Sequence, residues 1–388
     1  MKLFVVLVTA LLLLSSRALQ KGPWRIRRGE TARLRTTSAL SASLKPQLTK
    51  LISGEDLTSE ETEEAWGNIL RGESPAVVGA LLTLLRAKGE TAQEVAGMVR
   101  AMRTACNKVE LSGKLLDIVG TGGDGADTIN ISTAASILCS AAGCKVAKAG
   151  NRSVSSQCGS ADVLEALGIK IELQPDEVAK VVEKCGMGFM YAPVNHPAMK
   201  EVAPVRKDLG VRTAFNILGP MTNAAGAQHV VIGVFDGSLM ELMANTLMEV
   251  GYIEHGVVIH GCGLDEISPM GPSSIIELTN TAPPGEPRVY DVKKYDFDPL
   301  DIGVPRCVVG DLKGGDRTHN AAELRKVLRG GDETDAKRDS VVLNAGMALY
   351  VYDLTSSIED GVKLARDTLN AGKAVAKLED WIIASNEV

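Results

Sequence analysis

From Leu115 onward, short β-rich runs alternate with helix-length segments, and this rhythm constrains the fold more than any other feature. Leu115–Val119, Lys145–Lys148, Gly188–Tyr191, Val230–Phe235 and Gly256–His260 read as strands. Ser132–Ala142, Ala161–Leu167, Pro175–Cys185 and Leu239–Val250, lying between them, read as helices. Parallel strands need a crossover between them, usually a helix, so the alternation predicts a mostly parallel sheet covered by helices. Ser274–Leu278 and Arg288–Val292 read as later, antiparallel strands. Helices near Ala321–Arg329, Lys337–Thr355, Ser357–Asn370 and Lys373–Ser385 are expected to close the chain.

Residues 46–111 carry a different pattern, that of a small helical unit. Thr58 with Glu61, and Thr91 with Glu94, are capping boxes opening helices to about Leu70 and Ala105. Ser74 followed by Pro75 marks another start, with a helix over Ala76–Ala87. The apolar spacing of Val77, Leu81, Leu84 and Leu85, and of Val95, Met98, Val99 and Met102, gives each of the last two helices one buried stripe. The expected fold class is therefore α/β, a small all-helical domain (46–112) followed by a large α/β domain (113–388).

The N-terminus is a separate object. Leu3–Leu14 is an apolar core too short to span a bilayer comfortably, and residues 15–50 are rich in Arg, Ser, Thr and Ala with Glu30 as the single acid. A signal core followed by a transit-like region, residues 1–45, predicts targeting to a plastid, with plain secretion as the alternative. Residues 1–50 hold 10 basic and 1 acidic residue, so the remaining body has 32 basic and 47 acidic residues, a net charge of −15. Such a body lacks the electrostatic footprint of a general nucleic-acid binder, and no membrane association of the mature form is expected. The seven cysteines (106, 139, 144, 158, 185, 262 and 307) contain no C-x-x-C pair, which argues against a disulfide framework or a zinc site.

The densest chemistry lies between Asp117 and Gly168. Gly120-Thr-Gly-Gly-Asp124 follows the first strand, Asn130-Ile-Ser-Thr133 opens the next helix, and Lys148-Ala-Gly-Asn-Arg-Ser-Val-Ser-Ser156 follows the second strand. Gly120, Gly122 and Gly125 spell G-x-G-x-x-G, but a dinucleotide site wants a carboxylate about 20 residues on, and no acid occurs between Asp127 and Asp162. Lys145, Lys148 and Arg152 make the window electropositive instead. Flexible backbone N–H groups, a helix start and local positive charge suit a phosphate-bearing polyanion. Ser132 and Thr133 offer hydroxyls there, although Asn130 and Ser132 equally fit ordinary capping. The serines 153, 155, 156 and 160 make a loop that is costly to order unless it wraps a ligand, a solvated polar turn being the plainer reading.

Two further segments complete the set. His260-Gly-Cys-Gly-Leu-Asp-Glu266 ends a strand with two adjacent carboxylates, hard oxygen donors that suit Mg2+ beside a phosphate site, although two such acids in a glycine loop are commonly just solvated. Arg206, Lys207 and Arg212 lie near the end of a helix headed by His196 and Pro197; an Arg there could clamp a carboxylate, although most such arginines are surface charges. Ligands of open α/β sheets bind beyond the carboxyl ends of the strands, so these turns should converge at one rim.

Taken together, Gly120–Asp124, Asn130–Thr133, Gly150–Ser156 with Gly159–Gly168, Phe215–Pro220 and Leu264–Glu266 resemble the motifs of the anthranilate phosphoribosyltransferase family, and the similarity runs from about residue 46 to the C-terminus. The resemblance implies transfer of the phosphoribosyl group of phosphoribosyl pyrophosphate (PRPP) to anthranilate with Mg2+, in tryptophan biosynthesis. It assigns PRPP to Gly120, Gly123, Asp124, Thr128, Asn130, Ile131, Ser132 and Thr133. From the second strand's loop it adds Lys148, Ala149, Gly150, Asn151, Arg152, Ser153, Val154, Ser155, Ser156 and Ser160. Gly120, Asn151 and Arg206 would meet anthranilate, and Ser132, Asp265 and Glu266 would bind Mg2+. It also implies a hinge, completion of the helical domain by about residues 193–212, and a homodimer. The family commonly has Lys-His-Gly-Asn where this chain has Lys148-Ala149-Gly150-Asn151, which removes an imidazole contact to anthranilate.

The implied reaction needs no strong base. The amino group of anthranilate is a neutral nucleophile, and the barrier lies in the departure of pyrophosphate from an oxocarbenium-like ribose carbon. No general base is therefore assigned. Two other classes remain open on sequence grounds. A pyrimidine nucleoside phosphorylase shares the architecture but needs no Leu264–Glu266 metal loop. A nucleic-acid-binding relative would want a basic face.

Overall fold

The computed structural model describes residues 44–153, 156–332 and 335–388. The expected targeting segment lies outside the described residues but for Leu44 and Lys45. Four helices come first, Lys45–Ile52, Ser59–Leu70, Pro75–Lys88 and Ala92–Ala105. Both capping boxes form: the Thr58 and Thr91 hydroxyls accept from the N–H groups of Glu61 and Glu94, whose carboxylates accept in return. Ser74 stands at the N-cap without a side-chain bond. The helix Pro75–Lys88 buries Val78, Leu81, Leu82 and Leu85, while Val77 and Leu84 of the expected stripe are only partly covered. The helix Ala92–Ala105 buries its expected stripe in full.

The sheet contains strands β1 (Leu116–Gly120), β2 (Val146–Gly150), β3 (Met187–Tyr191), β4 (His229–Gly233), β5 (His255–Gly261), β6 (Ser273–Asn280) and β7 (Tyr290–Phe297), in the order β3-β2-β1-β4-β5-β6-β7. The first five run parallel; β6 and β7 are added antiparallel, as the patterning predicts. The parallel strands are buried at their starts and apolar almost throughout, because helices cover both faces. The helix Ile131–Ala141 crosses from β1 to β2 and packs on Ala336–Val351, and Lys373–Asn386 lies against it. β7 is an edge strand, exposed along most of its length and carrying Asp291, Lys293, Lys294 and Asp296.

The chain reverses twice between the two packing systems. After β3 it forms the helices Ala192–Asn195 and Met199–Leu209, and the latter packs on Ser59–Leu70 and Pro75–Lys88. His196 does not head this helix but sits between the two, with Nε2 3.0 Å from the Thr222 carbonyl, and burial holds its pKa below the ordinary value. Among the described residues, no helix is long and apolar enough to cross a membrane.

Candidate active site

Four of the five parallel strands, β1, β2, β4 and β5, end on a glycine. At all four ends a Cβ would collide with a neighbouring group, and at two of them that group is Asp265. A Cβ on Gly233 would lie 1.5 Å from the Asp265 carbonyl oxygen, and one on Gly120 would lie 2.1 Å from Asp265 Oδ2. The loop after β5 therefore folds back across the ends of β4 and β1, and only glycine leaves room for it.

This fold-back brings distant motifs together. Asp265 Oδ2 accepts from the Gly122 N–H at 2.6 Å, and Glu266 Oε1 accepts from the Ser132 N–H at 3.2 Å, at the start of the helix Ile131–Ala141. Asp124 belongs to the same cluster. Burial and the neighbouring Asp124 push the Asp265 carboxyl up to about 6. Burial, Asp265 and Asp124 push Glu266 well above its ordinary value. Lys148 acts in the opposite sense on both. Three carboxylates that repel one another at a strand end form a site short of positive charge.

That shortage is the observation that tests the fit of Mg2+. Hard carboxylate oxygens, mutually destabilised, beside a helix N-terminus and a glycine loop, are the donors such a cation takes. Among the described residues, no group of three or more His, Cys, Asp or Glu is arranged to close a metal site unaided. The set suits a cation that takes one or two protein carboxylates and fills its remaining positions with water and phosphate oxygens.

Lys148 stands elsewhere than its charge suggests. It is 2% exposed, and its Nζ donates to the Ile118 carbonyl at 2.7 Å inside the sheet. Beside it lies Asp117, fully buried, which accepts from the Ala149 N–H at 3.1 Å and the Asn223 amide at 2.7 Å. Burial raises Asp117 to about 6 against the pull of Lys148 and Asn223. Burial lowers Lys148, while Asp117, Glu266 and Asp265 oppose that fall. Lys148 is therefore a counterion beneath the carboxylates rather than a charge offered at the surface.

Arg152 is likewise engaged. Its guanidinium donates to Asp162 at 3.0 Å, to both oxygens of Glu165 at 3.1 and 3.2 Å, and to the Tyr191 hydroxyl at 3.1 Å. The polar loop carries its own order: the Ser153 and Ser156 hydroxyls lie 2.8 Å apart, the Ser153 N–H donates to Asp162, and Ser160 Oγ donates to the Asn151 carbonyl at 3.2 Å. Val154 and Ser155 lie outside the described residues. Asn151 is exposed, with Oδ1 accepting from the Arg152 N–H. Lys145 pairs with Glu183. The basic residues of the window are thus engaged within the protein, and the expected electropositive surface gives way to backbone donors and acids.

The remaining predicted residues frame this rim. Asn130 donates to the Cys158 carbonyl at 3.0 Å and accepts from Asn320 at 2.9 Å, which ties the second motif to the third. Thr128 bridges to Lys313. The Ile131 side chain is buried, leaving only its backbone to a ligand, and Thr133 Oγ1 is buried without a hydrogen-bond partner among the described residues. Arg206 is half-buried with its guanidinium 5.3 Å from the Phe215 ring centroid, burial lowers its pKa, and among the described residues it pairs with no carboxylate. Among the described residues no hydrogen bond or ion pair joins Arg206 to the rim, whereas Arg212, six residues on, donates to the Gly123 carbonyl. Asp117, Asn223 and Asn320 escape the sequence reading. Asp117 left a signal, an acid inside an apolar parallel strand. The two asparagines left none.

The fold and this rim define a glycosyl transferase. The family's α/β-domain model matches residues 112–375, and its helical-bundle-domain model matches residues 45–106. The chain is 48% identical over 340 residues to the anthranilate phosphoribosyltransferase of Methanosarcina acetivorans, covering 87% of this chain and 89% of that one. It is 44% identical to that of Acetivibrio thermocellus, covering 88% and 97%. The crystal structure of anthranilate phosphoribosyltransferase from Thermus thermophilus superposes with a TM-score of 0.80 at 42% identity, covering 87% and 99%. The Saccharomyces cerevisiae enzyme, solved in complex with PRPP and Mg, matches with a TM-score of 0.80 at 26% identity, covering 89% and 98%. The chain belongs to the anthranilate phosphoribosyltransferase family.

Proposed function

We propose that the chain transfers the phosphoribosyl group of PRPP to the amino group of anthranilate, giving N-(5-phosphoribosyl)anthranilate and pyrophosphate, the second step of tryptophan biosynthesis. The observation that carries this reading is the Leu264–Glu266 loop, folded onto Gly120 and Gly122 and bonded to the start of the Ser132 helix. It joins acids that need a cation to N–H groups that favour phosphate. The yeast relative solved with PRPP and Mg, and again with 4-fluoroanthranilate, supports the same substrate pair.

Ser132, Asp265 and Glu266 would hold Mg2+, which stabilises charge on the departing pyrophosphate when bound. The glycine loop Gly120–Asp124 and the Asn130–Thr133 helix start would hold the diphosphate through their backbone. The backbone of Lys148–Ser156, with Ser160, would line the sugar phosphate. Lys148, beneath the carboxylates, would oppose the rise of both. Arg206, half-buried and among the described residues paired with no carboxylate, would orient anthranilate by its carboxylate, with Gly120 and Asn151 also meeting it. Holding the two substrates in line supplies much of the rate, because the nucleophile is neutral. The helical domain, completed by the segment around 193–212, would close over the α/β domain and exclude water. The composition of residues 1–45 supports plastid delivery. The family resemblance supports a homodimer.

The deciding experiment follows anthranilate fluorescence in the presence of PRPP and Mg2+. A loss of fluorescence that requires all three components is expected. Stable fluorescence, or phosphorolysis of thymidine or uridine without Mg2+, would overturn the reading.

A further inference from the structure

Arg212 stands past the end of the helix Met199–Leu209, and no role above uses it. Its Nη2 donates to the Gly123 carbonyl at 2.9 Å, and its guanidinium carbon lies 4.1 Å from the centroid of the Phe235 ring. The guanidinium is therefore held on one side by the glycine loop and on another by an aromatic face, a pairing that suits Arg and not Lys. Phe235 follows β4, and its N–H lies 3.4 Å from Thr121 Oγ1, while the Thr121 N–H donates to the Gly233 carbonyl at 3.0 Å. The loop is thus tied to β4 at its root and to Arg212 at its tip.

The tip needs such a tie. Gly122 and Gly123 have φ of +65° and +86°, and two successive glycines leave the intervening peptides free to turn. A Cβ on Gly123 would stand 2.7 Å from Arg212 Nη2, so the guanidinium occupies space that a side chain would fill. In a trans peptide the C=O and the following N–H point in opposite directions. Fixing the Gly123 carbonyl on Arg212 therefore fixes the Asp124 N–H on the opposite side. The same contact joins the loop to the segment that carries Arg206.

We propose that Arg212 is a positioning residue, which orients the Gly122–Asp124 peptides for a sugar carrying a diphosphate. This rests on the phosphoribosyl-transfer reading above. Arg212 is exposed, so its replacement is not expected to unfold the chain.

The test compares Arg212→Met, which keeps an apolar stem over Phe235, with Arg212→Lys. PRPP affinity is measured by calorimetry with Mg2+, both KM values by anthranilate fluorescence, and amide exchange over residues 121–125 by mass spectrometry. Arg212→Met should weaken PRPP binding about ten-fold. It should leave the anthranilate KM within about two-fold and the Tm unchanged, and speed exchange in the loop. Arg212→Lys should recover part of the PRPP affinity, since an ammonium donates to the carbonyl but does not lie flat on the ring. Unchanged PRPP affinity and exchange, or an equal rise in both KM values, would overturn the proposal while wild-type turnover left the functional reading intact. A wild-type chain that consumed no anthranilate would remove that reading instead, and loop exchange in Arg212→Met would still decide whether the tie exists.

Discussion

Replacing Gly120 by alanine isolates the close approach on which the rim depends. Gly120 does not have a positive φ, so the backbone accepts alanine without strain. The obstacle is the Asp265 carboxylate, whose Oδ2 would lie 2.1 Å from the new Cβ where ordinary contact begins at 3.4 Å. The carboxylate must retreat by about 1.3 Å (3.4 − 2.1). Its bond from the Gly122 N–H, 2.6 Å long, moves with it. A displacement of about 1 Å in a group that positions reacting atoms costs about 100-fold, or ~2.7 kcal/mol of transition-state stabilisation. Gly120→Ala should therefore lower kcat/KM for PRPP by about two orders of magnitude, with a higher Mg2+ requirement and a small change in Tm. The assay is anthranilate fluorescence across a Mg2+ titration, repeated in an Asp265→Ala background. There the clash is gone, and the alanine should add little to the damage already done. Activity within two-fold of wild type, or penalties that add in full, would refute the placement of Asp265 over Gly120.

Asp265→Asn combined with Glu266→Gln should abolish Mg2+-dependent turnover while the chain stays folded by circular dichroism; retained activity would remove the metal site. Arg206→Ala should raise the anthranilate KM far more than the PRPP KM, and equal effects in steady-state kinetics would mean that Arg206 does not clamp the carboxylate. Glu277→Gln tests stability at the opposite end of the sheet, where Glu277, 3% exposed, accepts from His255 and from the Tyr295 and Tyr350 hydroxyls at 3.1, 2.7 and 2.8 Å. Burial alone would raise this carboxyl, but the three donors win and hold it at about 2 against an ordinary 4.5. A depressed carboxyl stabilises above its unfolded value and loses that contribution as pH falls through the folded one, so the ionised form adds ~3 kcal/mol at neutral pH. Denaturant unfolding should show Glu277→Gln destabilised by about that amount at pH 7, with the gap narrowing as pH falls from 5 towards 2 and kcat unchanged; a pH-independent gap would refute the assignment.

Local signals were legible where one segment decides its own structure. The capping boxes at Thr58 and Thr91 form as written, because donor and acceptor lie three residues apart. The five parallel strands fall within a few residues of their apolar runs. The edge strand does not: β7 runs to Phe297, five residues past its expected end at Val292, because a strand with one neighbour needs no apolar face and carries charge at Asp291, Lys293, Lys294 and Asp296. The helix Pro75–Lys88 is apolar on more than one side, so its sequence did not say which stripe faces inward, and packing chose Val78 and Leu82 over Val77 and Leu84.

The site shows the same division more sharply. Strand ends and glycines were enough to bring Gly120, Ser132, Asp265 and Glu266 to one rim, since connectivity in a parallel sheet dictates where turns meet. The direction of each charge was not readable, because a lysine in sequence carries a sign and no orientation. Lys148 lies in β2 next to β1, where the buried Asp117 draws it inward. Arg152 turns to Asp162 and Glu165, ten and thirteen residues away. Asn320 finds Asn130 across 190 residues, a pairing fixed by the packing of whole helices. With these bases engaged internally, the rim presents N–H groups, hydroxyls and three acids, with Arg212 at the tip of the glycine loop. Such a rim suits a polyanion that arrives with a divalent cation. The acids of the Leu264–Glu266 loop and Asp124, more than the basic residues that stand out in the sequence, therefore set the charge of this rim.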